Sequence, residues 1–208
     1  VKPFTGRLTV AVPGDVDGDG AEEIVVGSAN WRAYVYTDRG ELLWDECCWA
    51  HTPTCATVAD LDRNGSGEVV MGNTYTSAVV YSSEGKVIGK GGGSGHAGPT
   101  ALAAADLDGN GKAEIVVGDR AGRIWFTEFR GRTLPSHDTG GEIGDVALAD
   151  LDADGRLETV VASHNFLLYV FDAEGKSLCS RSLLTTCRDL AIGDVTGDGV
   201  PDIVCASD

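Results

Sequence analysis

An acidic nonapeptide recurs five times in this 208-residue chain, at intervals of 44 to 46 residues, and each copy runs into a short apolar segment. The first is Asp15-Val-Asp-Gly-Asp-Gly-Ala-Glu-Glu23, followed by Ile24-Val-Val-Gly27, and the others begin at Asp60, Asp106, Asp150 and Asp194. Oxygen-bearing side chains stand at positions 1, 3, 5 and 9, with Gly at position 6. This pattern describes a loop around a hard cation, because alternate side chains converge while Gly permits the sharp turn. The candidate ligands are Asp15, Asp17, Asp19 and Glu23, then Asp60, Asp62, Asn64 and Glu68, then Asp106, Asp108, Asn110 and Glu114. The last two sets are Asp150, Asp152, Asp154 and Glu158, then Asp194, Thr196, Asp198 and Asp202. Position 7, held by Ala21, Ser66, Lys112, Arg156 and Val200, completes each set, and at every one of them but Ser66 it has only a main-chain oxygen to offer. Up to five calcium ions are expected, one per loop.

The charge balance follows from the loops. Of the 32 acidic residues, 17 occupy presumed ligand positions, against 16 basic residues in the whole chain. One divalent ion per loop would move the formal charge from −16 to about −6, relieving self-repulsion. Such an acidic surface repels polyanions and argues against nucleic acid and anionic membrane as partners. No apolar run is long enough to span a bilayer.

A small residue recurs twelve positions after the first Asp of each motif: Gly27, Gly72, Gly118, Ala162 and Ala206. A Gly follows at offset 25 in four copies, at Gly40, Gly85, Gly131 and Gly175. Between the two marks lie alternating apolar runs, 33–36, 78–81, 124–126 and 166–171. The turns that end three of them, such as Asp38-Arg-Gly-Glu41, have the Gly that hairpins need. One unit therefore reads as strand A (57–59, 101–105, 146–149), cation loop, strand B (115–117), strand C, hairpin and strand D. Four antiparallel strands in about 45 residues is the period of a propeller blade. An EF-hand does not fit, because position 12 is Val26, Met71, Val117, Val161 and Cys205 where a bidentate Glu belongs.

On these motifs the chain resembles the FG-GAP/VCBS class of repeats, whose hallmark is a D-x-D-x-D-G-x-x-D loop between the first two strands of a blade. The resemblance covers nearly all of 1–208, read as one propeller domain. It implies an all-β propeller with calcium in loops on one face and an extracellular place, in adhesion, matrix contact or as an appendage of polysaccharide-active enzymes. Three positions depart from the pattern: Asn64 and Asn110 at position 5, and Thr196 at position 3, which makes the fifth site the expected weakest.

The chain accounts for four complete blades plus strands A and B of a fifth. Completion by another copy, another protein or a missing segment is expected, because an open strand edge is a template for pairing. A first residue Val1 without Met suits either a mature product whose leader has been removed or a chain begun at an arbitrary point.

Among the six cysteines, Cys47 with Cys55 and Cys179 with Cys187 share a spacing of eight and an equivalent place in the repeat. Disulfides between neighbouring blades are expected there, leaving Cys48 and Cys205. His51 and His96 lie in the linkers between blades, and Asp145 and Asp189 on strand A are placed to line a central channel. Trp44 and Trp125 read as packing residues, and Trp49 as the better candidate for exposure. The tract 91–95 reads as a flexible connection. Asn64 begins an Asn-Gly-Ser acceptor, discounted for glycosylation because Asn64 is a presumed ligand.

No catalytic residues can be picked out from spacing. The leading expectation is a non-enzymatic, extracellular, calcium-binding propeller for adhesion or assembly. The alternatives are a fragment or appendage of a polysaccharide lyase, or a lectin-like propeller that holds glycans on Trp and Tyr faces.

Overall fold

The computed structural model describes residues 6–92 and 97–207, so His96 and part of the 91–95 tract lie outside the described residues. Among the described residues all regular structure is strand. The first sheet runs β1 (Leu8–Gly14), β2 (Glu23–Ser28), β3 (Arg32–Tyr36), β4 (Leu42–Cys47), and the second β5 (Pro53–Ala59), β6 (Glu68–Asn73), β7 (Val79–Tyr81), β8 (Val87–Lys90). The third comprises β9 (Pro99–Ala105), β10 (Glu114–Asp119), β11 (Arg123–Glu128) and the short β12 (His137–Asp138). The fourth is β13 (Ile143–Ala149), β14 (Glu158–Ser163), β15 (Leu167–Phe171), β16 (Ser177–Ser182), and the fifth only β17 (Cys187–Gly193) and β18 (Asp202–Ser207). Every pairing is antiparallel between sequence neighbours, so each sheet is one propeller blade. The innermost strands β1, β5, β9, β13 and β17 lie side by side in that order, giving an open arc.

Three apolar clusters fill the spaces between the first four sheets, centred on Val25, Met71 and Tyr81, on Val70, Ile115 and Phe129, and on Val116, Phe126 and Phe171. A sheet in the middle of the arc is covered on both faces. This is why β6, β10 and β14 are buried along their whole length and read as continuous apolar runs without alternation. The outer sheets have one covered face, so Leu8 and Ile24 in the first and Val204 in the last remain exposed. Leu178 on β16 is exposed as well, since the two-stranded fifth sheet has no outer strands to cover it.

Neighbouring blades are also tied by hydrogen bonds at equivalent points of their inner strands. Thr54 Oγ1 donates to the carbonyl of Pro99 at 2.6 Å, and Thr100 Oγ1 to that of Ile143 at 2.7 Å. Between the fourth and fifth sheets the tie is Asp145, whose Oδ2 accepts from the Leu190 N–H at 2.8 Å. Burial raises the Asp145 pKa against the pull of that bond, with Asp189 adding repulsion. Asp145 is thus a clasp between blades.

The structure carries all six cysteines as thiols, so neither expected disulfide is present. The partners face different surroundings: Cys47 and Cys179 are exposed on outer strands, while Cys55 and Cys187 are buried on inner ones. Trp44 packs as expected, its ring centroid 5.7 Å from Tyr81 and its Nε1–H donating to the Ser83 carbonyl. Trp125 likewise packs and donates to Asp119 Oδ2. Trp49 is half-buried against the first cluster with Lys90 Nζ over its ring, and Trp31 is the exposed one, at 52%.

Candidate metal centres

All five acidic loops join the first and second strands of a sheet and share one hydrogen-bond design. The position-9 carboxylate reaches back to the position-2 N–H: Glu23 to Val16, Glu68 to Leu61, Glu114 to Leu107, Glu158 to Leu151 and Asp202 to Val195, at 2.8 to 3.0 Å. Position 1 accepts from the position-6 Gly N–H in every loop, as in Gly20 to Asp15 and Gly199 to Asp194. Position 5 accepts from the position-7 N–H. That last role needs only an amide or carboxylate oxygen, which explains why Asn64 and Asn110 serve where other loops carry Asp.

The five position-6 glycines all have φ between 83° and 94°, the left-handed region that Gly enters without a Cβ penalty. Position 4 is left-handed too, and there Arg63 (φ 60°) and Ala153 (φ 61°) adopt a conformation that costs a side-chain-bearing residue about 1–2 kcal/mol.

Four loops bring carboxylates together with ligand atoms within 4.8 Å of one another: Asp15, Asp17 and Asp19; Asp60, Asp62 and Glu68; Asp106, Asp108 and Glu114; Asp150, Asp152 and Glu158. These groupings can hold a metal ion. Among the described residues the fifth loop makes no such cluster; its carboxylates stay farther apart. Each of the four clusters includes the position-3 carboxylate, and the fifth loop carries Thr196 there. Its position-2 residue Val195 is also 69% exposed, where Val16, Leu61 and Leu107 are buried.

The donor set suits a hard cation on two further observations. Asp106 Oδ1 is buried with no hydrogen-bond partner, an arrangement that costs free energy unless something electropositive meets it. The position-9 acids Glu68, Glu114 and Glu158 are buried, and desolvation raises their pKa values, Glu114 to about 7. Repulsion from Asp106 and Asp108 adds to the Glu114 shift. Asp194 in the exposed fifth loop moves the other way, lowered chiefly by the Gly199 N–H.

Adjacent loops also touch, which the repeat spacing did not reveal. The Gly67 N–H donates to the carbonyls of Asp15 and Val16, and the Leu157 N–H to that of Leu107. Arg63 of the second loop pairs with Asp106 of the third at 2.5 Å. The first four loops therefore form one continuous acidic rim.

At the opposite end, the turns between the second and third strands hold Trp31 and Phe166, φ 69° and 68°, at 52% and 51% exposure. The sequence reading placed Phe166 inside a strand, but it sits in the turn before β15. The same repeat position in the third sheet is Gly122, φ 87°. Each turn is pinned through its carbonyl, which accepts from Cys48, Thr139 or Leu183 at 2.7 to 2.8 Å. His51 stacks near Tyr75, itself exposed, with centroids 5.3 Å apart. A cavity of about 310 Å³ lined by Thr54, Thr100, Arg120, Glu142, His164 and Arg188 opens among the inner strand starts.

Residues 60–117 match the model of the FG-GAP-like repeat. Solved structures share the fold. A BBS1N chain in complex with ARL6DN superposes with TM-score 0.76 at 14% identity, over 99% of this chain and 65% of that one. Sqt1 of Saccharomyces cerevisiae gives 0.75 at 11%, over 96% and 57%, and the V. cholerae biofilm matrix protein Bap1 gives 0.67 at 20%, over 88% and 30%. This chain thus spans less than two thirds of the length of each. No curated protein matches it by sequence.

The burial of Glu114 sets a pH dependence. In excess chelator, its folded pKa of about 7 lies above the ordinary 4.5, so the folded state binds protons more tightly. Stability is then highest below pH 4.5 as far as this group is concerned and falls as pH rises through about 7. Urea melts of chelated protein and of its Glu114→Gln variant across this window are expected to diverge, the variant showing the shallower decline.

Proposed function

We propose that this chain, a β-propeller arc of FG-GAP-type repeats, is an extracellular, calcium-stabilised, non-enzymatic module for adhesion or for building an assembly. The observation that carries the reading is the set of four carboxylate clusters at equivalent places on one rim. Asp15, Asp17, Asp19 and Glu23 would hold the first ion, and the corresponding residues of the other loops the next ones, with the fifth loop weakest. Calcium prefers six to eight oxygen ligands with flexible geometry, which loops of this size, carboxylate-rich and completed by position 7, are suited to supply. The ion neutralises converging carboxylates and couples folding to metal. The presence of a biofilm matrix protein among the structural neighbours fits an extracellular assembly role.

The partner is proposed to come through the fifth sheet. Strand β18 pairs on one side only, and Val204 on it and Leu184 before β17 are exposed. A strand supplied by a second copy would satisfy that edge and cover the apolar face. Glycans are the second class of ligand. The observation in their favour is the pair of pinned turns that hold Trp31 and Phe166 outward against backbone strain, as flat faces for sugar rings.

Three outcomes are expected. Millimolar calcium raises the melting temperature over that in excess chelator, each loop contributing about 2.7 kcal/mol when calcium is a hundredfold above its Kd; equal melting temperatures sink the calcium assignment. Sedimentation at increasing concentration shows association that Val204→Lys abolishes, whereas a monomer throughout removes the second-copy pairing. On a glycan array the protein retains neutral sugars and Trp31→Ala loses them, while an array blank for both proteins ends the glycan reading.

A further inference from the structure

The fifth sheet is the least supported part of the fold: two strands, one covered face, and an exposed loop between them. A lone two-stranded sheet is marginally stable, which directs attention to the covalent chemistry available within it. β17 and β18 are paired with Cys187 opposite Ser207 and Leu190 opposite Cys205, and a bulge lies between Cys187 and Asp189. Side chains two apart on a strand share a face, so Cys205 lies on the face of Ser207 and is the diagonal neighbour of Cys187. Both thiols line one mostly apolar cavity with Leu183 and Leu184, and the Cys187 thiol donates to the Asp189 carbonyl at 3.3 Å. Cys179 sits on β16 in the preceding sheet, opposite Val170, and is exposed.

We propose that Cys187 and Cys205 form a disulfide that closes the fifth blade and encircles its whole acidic loop, Asp194 to Asp202. The chemistry uses a small disulfide such as oxidised glutathione as oxidant. Cys187 is buried, and desolvation pushes its thiol to about 12, so the more accessible Cys205 attacks first as thiolate. A mixed disulfide forms at Cys205 and one glutathione thiolate leaves. Cys187 then gives up its proton and attacks the Cys205 sulfur, expelling the second glutathione. Two S–H bonds become one S–S bond, and the two electrons reduce the oxidant to two thiols. The bond restricts the unfolded chain between β17 and β18, stabilising the segment that packing supports least.

Trypsin separates the three relevant cysteines, since cleavage after Lys176, Arg181 and Arg188 leaves Cys179 in 177–181, Cys187 in 182–188 and Cys205 in 189–208. The full chain is equilibrated in glutathione buffers with chelator present, so that the result does not depend on the cation loops. Free thiols are then alkylated and the protein is digested. The expected product is 182–188 linked to 189–208. A link from 182–188 to 177–181, or full alkylation of Cys187 and Cys205 even in the most oxidising buffer, overturns the proposal. In a parallel melt, reductant lowers the transition of the oxidised protein by about 5 °C, and Cys205→Ser melts at the reduced position with or without reductant. An oxidised wild type that melts no higher than Cys205→Ser contradicts the stabilising role.

Discussion

The hydrogen bond from the position-2 N–H to the position-9 carboxylate is the interaction on which the repeat depends. In four loops that carboxylate belongs to a Glu no more than 6% exposed, at the first residue of β2, β6, β10 or β14. Burying an ionised acid is expensive unless it is hydrogen-bonded or neutralised. A single N–H, shared in the first loop with that of Asp17, meets part of the cost, and the raised pKa values of Glu68, Glu114 and Glu158 register the remainder. The loop is therefore built for an additional positive charge, and the same Glu that asks for it starts the most deeply buried strand of each blade. Loop and core are thus one unit: whatever satisfies the carboxylate also fixes where the central strand begins.

Much of this was legible in the sequence because it repeats. The small residues at offset 12 have a direct cause in the packing of successive blades. A Cβ on Gly27 would fall 2.6 Å from the Pro53 side chain, and one on Gly118 would fall 2.4 Å from that of Ile143. Each inner strand lies across the preceding second strand at that point, so a steric demand made once per blade is written once per period. The hairpin at offset 22 to 26 is periodic for a similar reason: Thr37, Ser82, Glu128 and Asp172 each donate an N–H to a carbonyl four residues on.

What the sequence hid are contacts that break the period. Arg63 pairs with Asp106 in the neighbouring loop, an interaction between non-equivalent positions that no alignment of copies can display. Phe166 opens the apolar run 166–171, and a pattern of alternation assigns such a residue to the strand. Only the backbone, at φ 68°, shows that it belongs to the turn. The spacing of eight between cysteines recurs at equivalent places but is silent on burial: Cys47 and Cys179 lie exposed on outer strands, while Cys55 and Cys187 are enclosed on inner ones.

The five loops are not alike despite one hydrogen-bond scheme. The anchor at position 2 is buried in the first three, with Val16, Leu61 and Leu107 at 3% exposure or less, and stands open at Val195. A buried anchor is not the condition for convergence, because Leu151 is only half-buried and Asp150, Asp152 and Glu158 still come together. Asp194, Asp198 and Asp202 keep their local turns but do not converge. Each of the four converging sets includes a position-3 carboxylate, and the fifth loop carries Thr196 there. It follows that restoring a carboxylate at Thr196 would do more for the fifth loop than covering the outer face of β17 and β18, because the loop's turns are already in place and the missing element is a ligand.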